Sequence, residues 1–150
     1  MQIWVDADAC PGVVRDIIIR AAVKKKIVAV FVANKKLMLP ESECVQLIVV
    51  SEGPDVADAH IVSNAVISDL VISQDIPLAY ALVTKGITVI DPRGKVHTED
   101  NIGDRLSVRD LMTGLRESGE IRGGPQQFGE KEKQAFASSF DRELTRLLRK

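Results

Sequence analysis

Gln2-Ile3-Trp4-Val5-Asp6-Ala7-Asp8-Ala9-Cys10-Pro11 carries an apolar run through a short acidic turn to a proline. Ile3 and Val5 alternate with Trp4, the period of a strand. Beyond Pro11, the residues Val14, Ile17, Ile18, Ala21 and Ala22 recur at the i, i+3, i+4 spacing of an amphipathic helix. Proline suits the first turn of that helix, and Lys24 to Lys26 suit its last turn, where cations meet the negative end of the dipole.

The same alternation continues outward from this unit. Ile27 to Val32 and Val45 to Val50 are apolar, β-branched runs of strand length, expected to be covered on both faces. Lys35 to Cys44, between them, holds Pro40 and is too short for a regular crossover helix. Helices are predicted over Asp55 to Val66 and Pro77 to Lys85, the latter closed by Gly86, with strands at Asp69 to Ile72 and Ile87 to Ile90. Strands alternating with helices predict a three-layer α/β fold, a doubly wound sheet of five parallel strands. Residues 101–150 differ in kind. A helix over Asn101 to Ser118 has the apolar stripe Val108, Leu111, Met112 and Leu115, and one from Glu130 onward carries Phe136, Phe140, Leu144 and Leu147. They are expected to pack on a 1–100 core as an arm or lid of a single domain, hinged at Arg122-Gly123-Gly124-Pro125.

A chain of 150 residues with 45% hydrophobic and 27% charged residues suits one globular core. Its longest apolar run, Ile27 to Ala33, is far short of the roughly 20 residues that span a bilayer, so neither a membrane nor a secretory route is expected. Cys10 and Cys44 have no second pair to complete a zinc site, which fits reduced thiols in the cytoplasm. The net charge of −1 and 4% aromatic content count against a protein that grips nucleic acid by bulk charge and base stacking, and neither excludes a local site. The charge divides into −3 over the first 75 residues and +2 over the last 75.

In a parallel sheet, ligands gather beyond the carboxyl ends of the strands, where the strand order reverses. Acids follow four of the five predicted strands: Asp6 and Asp8, then Asp55 and Asp58, then Asp75, then Asp91. Asn34 ends strand two and Ser73 follows strand four. Carboxylates held together raise one another's pKa and call for a cation, and hard oxygen ligands select Mg²⁺ or Mn²⁺. Such a metal suits in-line phosphodiester cleavage better than acyl transfer. The competing reading is helix capping, which Asp8, Asp55 and Asp75 satisfy by position; Asp6 lies too early in the chain to cap.

Taken together, Val5-Asp6-Ala7-Asp8-Ala9-Cys10-Pro11, Gly53-Pro54-Asp55-Val56-Ala57-Asp58, Ser73-Gln74-Asp75-Ile76-Pro77-Leu78-Ala79 and Asp91-Pro92-Arg93-Gly94 resemble the motifs of the YaiI/YqxD family, an uncharacterised bacterial family. The resemblance covers nearly the whole chain. It implies a PIN-like fold with strand order 3-2-1-4-5, the architecture of many metal-dependent ribonucleases. It also implies that Asp6, Asp75 and Asp91 occupy the acidic positions of that fold, with Asp55 or Asp58 as the acid borne on a helix.

On the helix after residue 104, Arg105, Arg109 and Arg116 fall within about 40° of one another at 100° per residue. With Arg93 and Arg122 they form a candidate phosphate-binding ridge, against the alternative of a solvated face paired with Asp104, Asp110 and Glu117. His60 is expected to face away from Asp58, and His97 to lie exposed in a polar loop. The leading functional expectation is a Mg²⁺- or Mn²⁺-dependent nuclease acting on RNA or single-stranded nucleic acid, with Asp6, Asp8, Asp75 and Asp91 as metal ligands. Two alternatives stand beside it. Asp6-Ala7-Asp8 also suits the nucleophile and acid of a haloacid-dehalogenase-like phosphohydrolase, and the acids could merely cap helices in a non-catalytic binding module.

Overall fold

The structure, a computed structural model, describes residues 1–53, 55–117 and 128–149, without the side chains of 113–117. Leu115, Arg116, Arg122 and the Gly123-Gly124-Pro125 hinge therefore lie outside the described side chains and residues. Six strands are present among the described residues: β1 (Gln2–Asp6), β2 (Val28–Ala33), β3 (Val45–Val49), β4 (Leu70–Ile72), β5 (Thr88–Ile90) and β6 (Val96–His97). Five α-helices accompany them: α1 (Gly12–Lys25), α2 (Val56–Asn64), α3 (Ile76–Val83), α4 (Glu99–Glu117) and α5 (Glu130–Leu148). They build one sheet in the order β3-β2-β1-β4-β5-β6. The first five strands are parallel in the PIN-like order 3-2-1-4-5, and β6 is an antiparallel addition on β5.

Strand alternation divides the core into two layers. On one face Ile3, Val5, Phe31, Leu70, Ile72 and Ile90 pack with Val14 and Ile18 of α1 and with Phe136, Phe140 and Leu144 of α5. On the other, Trp4, Val30, Val32, Val71 and Val89 meet Ile61 of α2, Leu78 and Leu82 of α3, and Ile102 of α4. The Phe136 and Phe140 rings stack with centroids 5.3 Å apart. Half of the expected arm, α5, is thus a layer of the core.

Three sequence expectations meet a different outcome. β3 is an edge strand with a half-buried pattern and Val49 53% exposed. The irregular link from β2 supplies no helix to cover both its faces. The stripe expected on α4 is not a core seam, because Val108 and Leu111 are 58% and 61% exposed while Ile102 at the helix start is the buried anchor. His97, expected in an exposed loop, lies in β6 and is 3% exposed. Gly94, at φ +93°, makes the tight turn between β5 and β6, and a turn followed by Val96-His97 is a hairpin signal.

A buried carboxylate ties the centre together at the amino ends of the strands. Asp69, 4% exposed, accepts hydrogen bonds from the Gln2 amide (2.9 Å), the Trp4 indole Nε1 (3.0 Å) and the Val66 amide (3.0 Å). Asp69→Ala would leave these donors unpartnered, and should cost about 3 kcal/mol of stability in urea denaturation. Gly94 makes a second close contact. A Cβ there would sit 2.5 Å from the Ala135 carbonyl oxygen, on α5 backbone that has no room to yield. Gly94→Ala should displace α5 and lower the thermal midpoint, whereas Gly103→Ala, with nothing within 4 Å of the added carbon, should not.

Candidate functional site at the carboxyl edge of the sheet

The order reverses between β1 and β4, so their carboxyl ends flank the crevice in which such sheets bind ligands. Val5 pairs with Ile72, and the next residues, Asp6 and Ser73, meet directly. The Ser73 hydroxyl donates to Asp6 Oδ2 at 3.0 Å and accepts from the Asp75 amide at 3.0 Å. One buried serine thus fixes the geometry of two acids. Asp75 Oδ1 accepts from the Leu78 amide at 3.0 Å, so this side chain does cap α3 while also facing the crevice. A cavity of about 250 Å³ opens here, lined by Asp6, Ala9, Gln74, Asp75, Ile76, Pro77 and Arg109.

Asp58, on α2, is the third member. Its carboxyl is pushed up to about 7 by burial, by the charge of Asp75 and a hydrogen bond shared with it, and by Asp6 and Asp55. Asp6 is also raised, chiefly by burial; the Ser73 hydroxyl opposes this, and Asp75 and Asp8 add repulsion. Asp6, Asp58 and Asp75 therefore form one electrostatic unit. Of the two helix candidates, Asp58 is the one whose carboxyl is shifted by the charges of Asp75 and Asp6. Asp55 is exposed, takes a left-handed backbone at φ 67°, and makes no cap bond through its side chain. Among the described residues no group of three His, Cys, Asp or Glu stands arranged around a metal position.

The model of the uncharacterised bacterial YaiI/YqxD family matches residues 4–146. The chain belongs to that family. Relatives of similar length carry the name UPF0178 protein. That of Myxococcus xanthus is 55% identical over 149 residues, covering 99% of this chain and 97% of its own. That of Syntrophobacter fumaroxidans is 53% identical over 146 residues, covering 97% and 95%. That of Pseudomonas fluorescens strain SBW25 is 50% identical over 149 residues, covering 99% of each. No solved structure matches.

The remaining motif residues of this YaiI/YqxD chain are spread around the unit. Asp8 Oδ2 accepts from the Asn34 amide at 2.9 Å, tying the first turn to the end of β2, and both residues are exposed. Asp91 Oδ1 accepts from the amides of Arg93 (2.8 Å) and Lys95 (3.0 Å), which organises the β5–β6 turn. It lines a neighbouring cavity rather than the Asp6 crevice. Arg93 lies 3.7 Å from Glu132 of α5 and over the Phe128 ring. Arg105 donates to the Val96 carbonyl at 3.0 Å and contacts His97 Nδ1 at 2.8 Å, holding β6 to α4. Arg109, of the predicted ridge, is the arginine that reaches the acidic crevice; it is half exposed and pairs with Asp110 at 3.1 Å. Arg122 lies outside the described residues. The Cys10 thiol, pushed up to about 12 by burial, donates to the Pro11 carbonyl at 3.7 Å and is a packed group.

The Asp58 shift has a sign that can be read in stability. Between the ordinary 3.8 and about 7 the folded chain keeps a proton that the unfolded chain releases, so stability falls as pH rises through that window. Asp58→Asn removes the repulsion. It should raise the thermal midpoint at pH 8 by about 2–4 °C, the shift for roughly 1 kcal/mol at this size, and should change little at pH 4. Thermal denaturation of both proteins at the two pH values measures it.

Proposed function

We propose that this protein is a metal-dependent nuclease that hydrolyses phosphodiester bonds in RNA or single-stranded nucleic acid, in the cytoplasm. The observation that carries this reading is the repelling unit of Asp6, Asp58 and Asp75 at the reversal of strand order. The repulsion among carboxylates held this way works against the fold at neutral pH and fits a ligand that supplies positive charge. Asp58, its carboxyl pushed up to about 7 by burial and by Asp75 beside it, holds a proton that an ordinary carboxyl releases. A divalent cation is the natural replacement for that proton, and oxygen donors without histidine or thiolate suit Mg²⁺ or Mn²⁺.

Asp6 and Asp75, which line the crevice, would hold the cation as two carboxylate ligands, with Asp58 as their acidic neighbour. Bound there, it would offset their charge and activate water for in-line displacement at phosphorus. Ser73 orients Asp6 by donating to Oδ2, and the Leu78 amide fixes one oxygen of Asp75. Arg109, at the lip of the same crevice, is placed to meet a phosphate oxygen. Asp8 and Asp91 support turns in this reading, and their side chains are engaged by backbone amides. That engagement also weakens the phosphohydrolase alternative, which needs Asp8 as an acid beside Asp6. Two free cysteines fit a reducing compartment, and no helix among the described residues is long and apolar enough to cross a membrane.

With Mn²⁺ and a labelled single-stranded oligoribonucleotide, Asp6→Asn should lower cleavage at least about 100-fold, the scale for losing one group that stabilises transition-state charge. Ser73→Ala should lower it less. Calorimetric titration of Mn²⁺ should show weaker binding to Asp6→Asn than to wild type. Equal metal affinity and equal cleavage in the two would remove the acidic unit as the site.

A further inference from the structure

A second cavity, of about 350 Å³, lies beside the acidic crevice between α4 and the β5–β6 hairpin. Ile76 and Arg109 line both, so a chain leaving the crevice past Arg109 enters the second directly. Its wall joins two aliphatic side chains, Ile76 and Val108, to the cations Lys95, Arg105 and Arg109, with Asp91, Asp104 and His97 completing it. We propose that this cavity is the subsite for a nucleotide of single-stranded RNA adjoining the phosphodiester at Asp6, Asp58 and Asp75, an assignment that rests on the nuclease reading above.

Three observations carry it. The first is His97. A guanidinium cannot accept a hydrogen bond, so the Arg105 contact at 2.8 Å makes Nδ1 the acceptor and leaves the ring proton on Nε2. That Nε2 is buried and has no hydrogen-bond partner among the described residues. An unsatisfied buried donor costs stability, and a sugar or base oxygen bound in the cavity that His97 lines would relieve that cost once the ring turned toward it. The second is the placement of charge. Asp91 already accepts from two backbone amides, and Asp104 is exposed at the rim. Arg109 stands at the passage between the cavities, where the linking phosphate would pass. The third is Val108, 58% exposed although it lines this cavity. An exposed aliphatic wall beside cations suits a sugar and base face in a way that inorganic phosphate would not use.

The test uses the full chain and adenosine 5′-monophosphate, with inorganic phosphate at the same concentration as comparison. The nucleotide should shift the amide resonances of residues 95–97 and of Val108 and Arg109, and phosphate alone should shift them much less. With Mn²⁺ and the oligoribonucleotide, Val108→Asp should raise KM about tenfold and leave kcat within about twofold, and Arg109→Gln, which lines the crevice as well as the cavity, should also raise KM about tenfold. Arg109→Gln should also lower the slope of log affinity against log salt by about 0.7, one phosphate contact on a single strand, and Val108→Asp should not. Equal shifts from phosphate and nucleotide would overturn the assignment, as would unmoved resonances. Wild-type KM in both variants, together with loss of cleavage in Asp6→Asn, would leave the nuclease reading standing and remove the subsite. Nucleotide binding at the cavity in a wild-type chain that cleaves nothing would keep a nucleotide site and remove the nuclease reading.

Discussion

Every feature of the acidic edge depends on β1 being hydrogen-bonded in parallel on both sides. Its register against β2 and β4 is fixed by alternation, since a slip of one residue would turn Ile3 and Val5 away from α1 and α5 and expose Trp4's partner layer. That register ends β1 one residue beyond the Val5–Ile72 pair. Asp6 then has nowhere to go except beside Ser73, at the place where the chain has turned from building the sheet leftward to building it rightward. The clustering of carboxylates is a consequence of topology, and the repulsion within it is the strain that the fold's other bonds sustain.

Those other bonds are arranged at the opposite edge. Asp69 gathers three donors near the amino ends of β1 and β4, so one acid serves as a fully satisfied structural anchor. At the carboxyl edge, Asp6 has the Ser73 hydroxyl and the acidic neighbours Asp8, Asp58 and Asp75. The contrast separates structural from functional carboxylates by their partners, where residue type alone cannot. A larger cavity, of about 840 Å³, also lies at the Asp69 end, lined by Val66, Ile67, Gly86 and Ile87 with no acid in its walls among the described residues. Size alone therefore does not mark the site.

The sequence pattern was legible wherever one period dominated. Periodicity and turn signals placed every strand of the parallel sheet and all five helices, and the strand-end rule gathered Asp6, Asp8, Asp55, Asp58, Asp75 and Asp91 without separating Asp55 from Asp58. It was silent where long-range contacts decide. Val108 and Leu111 have core spacing, yet nothing among the described residues covers them, because α4 docks through Ile102. His97 sits among polar neighbours in sequence and is buried by Arg105 and β5. Asp91 follows its strand just as Asp6 does, but a tight turn captures its carboxylate. Periodicity reports which face a residue occupies; it does not report which neighbour arrives there from 8 or 67 residues away.

The docking of α5 sets the order in which the chain can finish folding during synthesis. Ile3, Val5, Leu70, Ile72 and Ile90 are all within the first 90 residues, but the side chains that close over them include Phe136, Phe140 and Leu144. Until the last helix leaves the ribosome, the sheet beside α1 is an open apolar surface. The close approach of Gly94 to Ala135 and the 2.6 Å hydrogen bond from Ser139 to the Gly94 carbonyl then latch the final segment to the hairpin turn. A chain truncated before residue 130 would keep every acidic residue of the crevice and lack Phe136, Phe140, Leu144 and Leu147 from one core layer, making it a substrate for chaperones and proteases rather than a smaller working protein.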